Sequence, residues 1–250
     1  MLSDPVFVAA VVLAVFLVGL AKGGFAGLGS LSMPILALVM PPIDAAAILL
    51  PILVVQDAVS VWSFRGLWDK WIVGWMLPGA LIGVLLGWAF ATLLPVSAVT
   101  TALGLITLGF GLWRLWIERG GRIVAASNSP GWVGTLFGIV TGFTSQVAHA
   151  GGPPFQMWVT PRRLPHLRYV GTGAVLFAIM NWAKVPAYAA LGGFTAHNLT
   201  VAALLMPLAI ASTFAGIWLV RRIDPTRFYT LIYMLMVLLG AELLRQGIAP

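Results

Sequence analysis

Gly19-Leu20-Ala21-Lys22-Gly23-Gly24-Phe25-Ala26-Gly27-Leu28-Gly29 interrupts an apolar run that otherwise extends over residues 5–40. Each glycine costs a helix about 1 kcal/mol relative to alanine, so several in succession end it. A second run, 131–160, is broken in the same manner by His149-Ala150-Gly151-Gly152-Pro153-Pro154. Each region therefore reads as a helix-break-helix hairpin. Two full spans in each region is the competing reading, because hydrophobic length alone does not set depth or tilt.

The medium around these breaks follows from composition. Of 250 residues, 60% are hydrophobic and 8% charged, with a mean hydropathy of +1.01, whereas a soluble domain carries about 25% charge. The chain is an all-α polytopic membrane protein on this reading. Its net charge of +7 does not point to nucleic acid, since the cations lie in the gaps between apolar runs. With no cysteine and three separated histidines, thiolate chemistry is excluded and no two-ligand metal spacing is present, so neither cofactor nor metal is expected. The run Val6–Leu20 has no cation before it and no small-residue cleavage site after it, and reads as part of the mature protein.

A hydrocarbon core of about 30 Å takes roughly 20 helical residues. Cutting the chain at its charges and prolines leaves six runs of that length: 43–64, 71–93, 97–116, 167–191, 198–220 and 228–246. Cytoplasmic loops collect Lys and Arg. Eleven of the fourteen fall in four groups: Arg65 and Lys70; Arg114, Arg119 and Arg122; Arg162, Arg163 and Arg168; Arg221, Arg222 and Arg227. The gaps at Pro41-Pro42, Leu94-Pro95 and Gly192–Asn198 have none and belong outside, as do both termini. Most of the tryptophans flank spans as an interfacial belt.

Two halves, 1–125 and 126–250, follow from internal similarity. Leu77-Pro78-Gly79-Ala80 through Gly87-Trp88 aligns with Met206-Pro207-Leu208-Ala209 through Gly216-Ile217 at offset 129, Gly66 with Gly193 at 127, and Gly29 with Gly151 at 122. Each half is a glycine-broken helical hairpin followed by three transmembrane helices. The odd number of crossings inserts the second half upside down, giving two inverted repeats.

A break at membrane depth leaves backbone groups that lipid cannot satisfy, so it must be buried in protein or line a wet cavity. The resuming helix then points unpaired N–H groups and a positive dipole end at that cavity, which favours an anion. The candidate substrate-binding residues are Lys22, Gly27, Gly29 and Ser30 in the first half, and Gln146, His149, Gly151 and Gly152 in the second. The plainer alternative is close helix packing through small residues, the role assigned to Gly83 and Gly87. Lys22 reads as the substrate's charge partner, against an interfacial lysine that snorkels. Asp57 is the one carboxylate deep in a long span; at offset 127 it matches Lys184, with Asn181 one turn earlier, so Asp57 and Lys184 are expected to meet as an ion pair or proton relay. Asp44, His166 and His197 read as loop residues.

The first glycine stretch, together with Leu49-Leu50-Pro51-Ile52-Leu53-Val54-Val55-Gln56-Asp57 and His149-Ala150-Gly151-Gly152-Pro153-Pro154, resembles the sulfite exporter TauE/SafE family over essentially the whole chain. In that family each half opens with a glycine-rich motif, often Gly-hydrophobic-Gly-Gly-Gly before a proline. Gly27-Leu28-Gly29-Ser30-Leu31 with Pro34, and His149-Ala150-Gly151-Gly152-Pro153, are partial copies. The resemblance implies export of sulfite, sulfonates or related small anions across the bacterial inner membrane. No P-loop is present, so the energy source implied is an ion gradient, a proton among the candidates, or the substrate's own. A passive anion channel is one alternative. An intramembrane hydrolase using Ser30 or Ser145 with His149 is another, opposed by the lack of a Gly-x-Ser-x-Gly elbow.

Because the chain has no cysteine, single-cysteine labelling tests the orientation without background. Pro95→Cys and Thr195→Cys are expected to react with an impermeant maleimide in intact cells, and Arg122→Cys and Arg163→Cys to be protected. Labelling of Arg122→Cys from outside overturns the orientation.

Overall fold

The computed structural model describes residues 4–25, 28–93, 95–120, 128–220, 222 and 226–248. Gly27, Arg122 and Arg221 lie outside the described residues. Ten α-helices follow in order: α1 Pro5–Lys22, α2 Ser32–Ala37, α3 Pro42–Ser63, α4 Lys70–Leu93, α5 Val96–Glu118, α6 Gly131–Ala148, α7 Gly152–Val159, α8 His166–Ala190, α9 Ala196–Val220 and α10 Thr226–Ile248. The chain is 86% helical, without strands among the described residues, as an all-α polytopic membrane protein requires. The six long runs read from the sequence reappear as α3, α4, α5, α8, α9 and α10, with ends shifted by at most two residues.

Among the described residues, five helices are both long and apolar enough to cross a membrane: α1, α3, α4, α5 and α9. α8 has the length, at 25 residues, but carries Arg168, Asn181 and Lys184. That polarity is what a helix beside a polar site must have.

In both broken regions one arm is long and the other short. α1 and α6 each have 18 residues, about 27 Å at 1.5 Å per residue. α2 has 6 residues after a 3-10 turn at Leu28–Leu31, and α7 has 8. Both short arms fall well below the roughly 20 helical residues that a 30 Å core takes. The break after α6 is a helix cap with His149 in the left-handed region at φ 48°. There the Ala150 N–H bonds back to the Thr144 carbonyl at 3.2 Å and the His149 N–H to Ser145 at 3.1 Å, satisfying helix-end carbonyls that lipid could not. Pro153 and Pro154 occupy the first turn of α7, where a missing N–H costs least.

The most extensive packing joins one of α1–α5 to one of α6–α10. α1 lies on α9 as α6 lies on α4; α3 contacts both α8 and α9, α8 also contacts α4, and α5 pairs with α10. Glycine makes the closest of these contacts possible. A Cβ added at Gly83 would strike the Ile139 carbonyl and the Phe143 N–H, one at Gly142 the Ala80 carbonyl, and one at Gly23 the backbone of Gly216 and Ile217. Gly83 and Gly87 thus have the packing role read from the sequence. Beyond α7, the Arg162 guanidinium lies over Trp158 at 4.1 Å and Trp71 at 4.8 Å and donates to the Ser129 carbonyl at 2.7 Å. Burial lowers its pKa, with nearby Asp69 acting in the opposite direction.

Gly83→Val should destabilise the fold by at least about 1–3 kcal/mol, since neither opposing backbone can yield without moving a helix. Gly74→Ala, where a Cβ meets nothing within 4 Å, should be neutral or stabilising. Thermal unfolding in detergent compares them, and equal melting temperatures contradict the close contact.

Candidate functional site

The end of α1 is fixed by α3. The Lys22 carbonyl accepts from the Ser60 hydroxyl at 2.9 Å, and the Lys22 ammonium is ion-paired and hydrogen-bonded to Asp57 Oδ1. Asp57 is only 1% exposed, so both carboxylate oxygens must be bonded within the protein. The second, Oδ2, accepts from Asn181 Nδ2 at 2.6 Å.

Asn181 in turn has its carbonyl oxygen free to accept. Lys184 Nζ, fully buried one turn further along α8, donates to Asn181 Oδ1 at 2.9 Å and lies 3.2 Å from His149 Nδ1. The opposite ring nitrogen of His149, Nε2, is 3.2 Å from the Ala46 carbonyl. A carbonyl can only accept, so Nε2 carries the hydrogen and Nδ1 accepts from Lys184. The left-handed backbone at His149, costing about 1–2 kcal/mol, aims the ring here, where it stacks on Tyr188 with centroids 6.1 Å apart. Both ring nitrogens are occupied, and neither bonds a serine hydroxyl, as the hydrolase alternative requires.

The expected Asp57–Lys184 ion pair is therefore corrected. Asp57 pairs with Lys22, and Lys184 reaches it through Asn181. The positional equivalence has a different expression. Lys22 and Asp57 are 35 positions apart and bonded; His149 and Lys184 are also 35 apart and bonded. An offset of 127 carries the first pair onto the second. In each pair a residue at a break meets a residue on a long helix, α3 or α8.

These groups border a cavity of about 130 Å³, ample for a small anion with water, each water needing roughly 10–15 Å³. Lys22, Asn181, Lys184, His149, Gly29, Ser30 and Gly152 line it. Three expected site residues do not. Gln146 lies under Gly87 of α4 and its backbone carbonyl accepts from Tyr188 at 2.8 Å. Gly151 is packed, a Cβ there meeting Phe177, Ser145 and the Thr141 carbonyl. Asp57 stands behind Lys22. Phe155, Gln156, Tyr169 and Phe177 line the cavity without having been singled out from the sequence. Gln156, two residues beyond Pro153-Pro154, is the polar residue the motif could have drawn in.

The helix ends contribute less than the breaks suggest. Pro153 and Pro154 have no N–H, and the Phe155 N–H points back to the Gly151 carbonyl at 3.4 Å. α2 is too short for an appreciable dipole. Side-chain charge dominates instead. With both lysines protonated the cluster holds two ammonium groups and one carboxylate, and Lys22 also lies over the Phe177 ring at 5.3 Å. In that state the cluster carries one positive charge that its own carboxylate does not balance.

A double-mutant cycle tests the corrected pairing. Lys22→Met and Asp57→Asn should each destabilise by about 3–5 kcal/mol, by stranding the partner charge, and the double variant should recover most of that loss. Additive losses would show that the two do not interact.

Among known proteins, the family model described as sulfite exporter TauE/SafE matches residues 11–243. No curated protein matches the chain, nor does any solved structure.

Proposed function

We propose that this chain, which belongs to the sulfite exporter TauE/SafE family and is therefore of a membrane transporter family, carries small sulfur-containing monoanions such as sulfite or an organosulfonate out across the bacterial cytoplasmic membrane. The observation that supports this reading most directly is the charge count around the cavity, where Lys22 and Lys184 face it and Asp57 balances only one of them. A buried cation in a membrane helix needs an anion. Lys22 and Lys184 supply charge, His149 and Asn181 hold Lys184 in place, and the phenylalanine rings exclude water from the anion's remaining faces.

Alternating access between two inverted repeats is the mechanism that fits this arrangement. The equal spacing of the Lys22–Asp57 and His149–Lys184 pairs supports the repeat, as do the matching packings of α1 on α9 and α6 on α4. Anion and coupling ion would meet at the Asp57–Asn181–Lys184 chain, where a change of charge on Lys184 is felt by Asp57 through one amide.

Transport is tested in sealed vesicles with radiolabelled sulfite, sulfoacetate and taurine, the zwitterion taurine serving as the weak competitor. Accumulation above the equilibrium level, abolished by an uncoupler, is expected of a coupled transporter; uptake that only equilibrates identifies a channel. Lys22→Ala and His149→Ala should each weaken binding, the former by roughly 2–5 kcal/mol as for a charge removed from a desolvated site. Normal sulfite affinity in Lys22→Ala would remove Lys22 from the site.

A further inference from the structure

The cavity follows one stripe of α8, from Lys184 and Asn181 past Phe177 and Gly173 to Tyr169. Fifteen residues of helix separate its ends, about 22 Å. The end near Tyr169 therefore lies well away from Lys184 and needs its own account.

Gln156 of α7 lines the cavity there and is 4% exposed. Its Oε1 accepts from Arg114 of α5 at 3.2 Å, while its Nε2 is buried with no acceptor. The Arg114 guanidinium donates to the Tyr233 hydroxyl of α10 and lies 4.7 Å from that ring's centroid. Its Nε is also buried without an acceptor. Leaving a buried donor unbonded costs about 1–3 kcal/mol, and more when it is charged. Two such donors on touching residues, one of them part of a cation within an apolar bundle, form a local shortage of negative oxygen. Packing alone does not explain it, because leucine would fill the Gln156 position at no such cost.

We infer that Arg114 and Gln156 form a second anion station at the α5–α7–α10 end of the cavity, taking the same class of small oxyanion as the Lys22–Lys184 cluster. Gln156, a lining residue with its Nε2 unbonded, serves as the direct donor, and the guanidinium supplies the charge behind it. By the partition of basic loop residues this is the cytoplasmic end, since Arg114 closes α5 and Tyr169 opens α8 beside inner loops. An exported anion meets this station before the central one. The inference rests on the proposed function, because it takes the cavity to be an anion path.

Sulfite titration by calorimetry on the full chain in nanodiscs tests it. Wild-type protein is expected to show two classes of site. Gln156→Leu and Arg114→Gln should each weaken the second class roughly ten- to hundredfold, as loss of a charged hydrogen bond does, and leave the first unchanged. Lys184→Met should do the reverse. Arg114→Lys, which keeps the charge, covers the case in which Arg114→Gln fails to fold, and should retain a weakened second class. One class of site in wild type, unaltered by Gln156→Leu at an unchanged melting temperature, overturns the second station and leaves the proposed function standing. Wild-type protein that binds no sulfite, sulfoacetate or other sulfonate overturns the proposed function and the station together.

Discussion

The rest of the site depends on where Asp57 can put its two oxygens. A carboxylate withdrawn from water inside a bilayer is tolerable only when both are bonded. Here one takes Lys22 and the other Asn181, so α1, α3 and α8 are tied at one point. The consequences run outward in order. Asn181 must present its amide hydrogen to Asp57, so its carbonyl faces Lys184. Lys184 then donates to His149 Nδ1, which places the imidazole hydrogen on Nε2 and directs it to the Ala46 carbonyl of α3. One carboxylate thus determines the orientation of an amide and an ammonium on α8 and of an imidazole at the break after α6. Removing its charge changes the whole chain of donors.

Asp57 and Lys184 illustrate what positional likeness does and does not carry. The offset of 127 carries Lys22 onto His149 and Asp57 onto Lys184. Contact is a different matter, decided by which helix lies opposite. Lys22 reaches Asp57 because α1 ends beside α3, and the same local arrangement brings His149 to Lys184. The like-placed residues have opposite charge or none in common, so the polar core is arranged alike in the two halves and charged differently. That difference leaves a positive remainder beside the cavity.

Helix limits were legible because charges, prolines and glycines punctuate apolar runs, and a span must have a set length. The broken arms were legible for the same reason, since Gly23-Gly24 and Gly151-Gly152 cannot continue a helix cheaply. Which side of a break faces the cavity was not. Gln146 stands three residues before His149, yet its side of α6 meets Gly87 of α4, and no periodicity within α6 announces that neighbour. Gln156, Tyr169 and Arg114 were illegible as a group because they sit on α7, α8 and α5, far apart in sequence, and only packing brings them together. The anion-favouring helix end was overestimated because Pro153-Pro154, which starts α7 well, also deletes two of the N–H groups that such an end would offer.

The glycine contacts also set which parts of the bundle can shear. At Gly23 against Gly216, and at Gly83 and Gly142 against their partners, main chain touches main chain with no side chain between to repack. Sliding by a fraction of a turn would drive carbonyls into one another. α1 must therefore travel with α9, and α6 with α4, so each long broken arm is a passenger of a helix from the opposite half. The chain leaves these pairs at the glycine breaks after α1 and α6, next to Lys22 and His149. The tightly packed units are thus cross-paired helices, and the breaks that join them lie beside the charges.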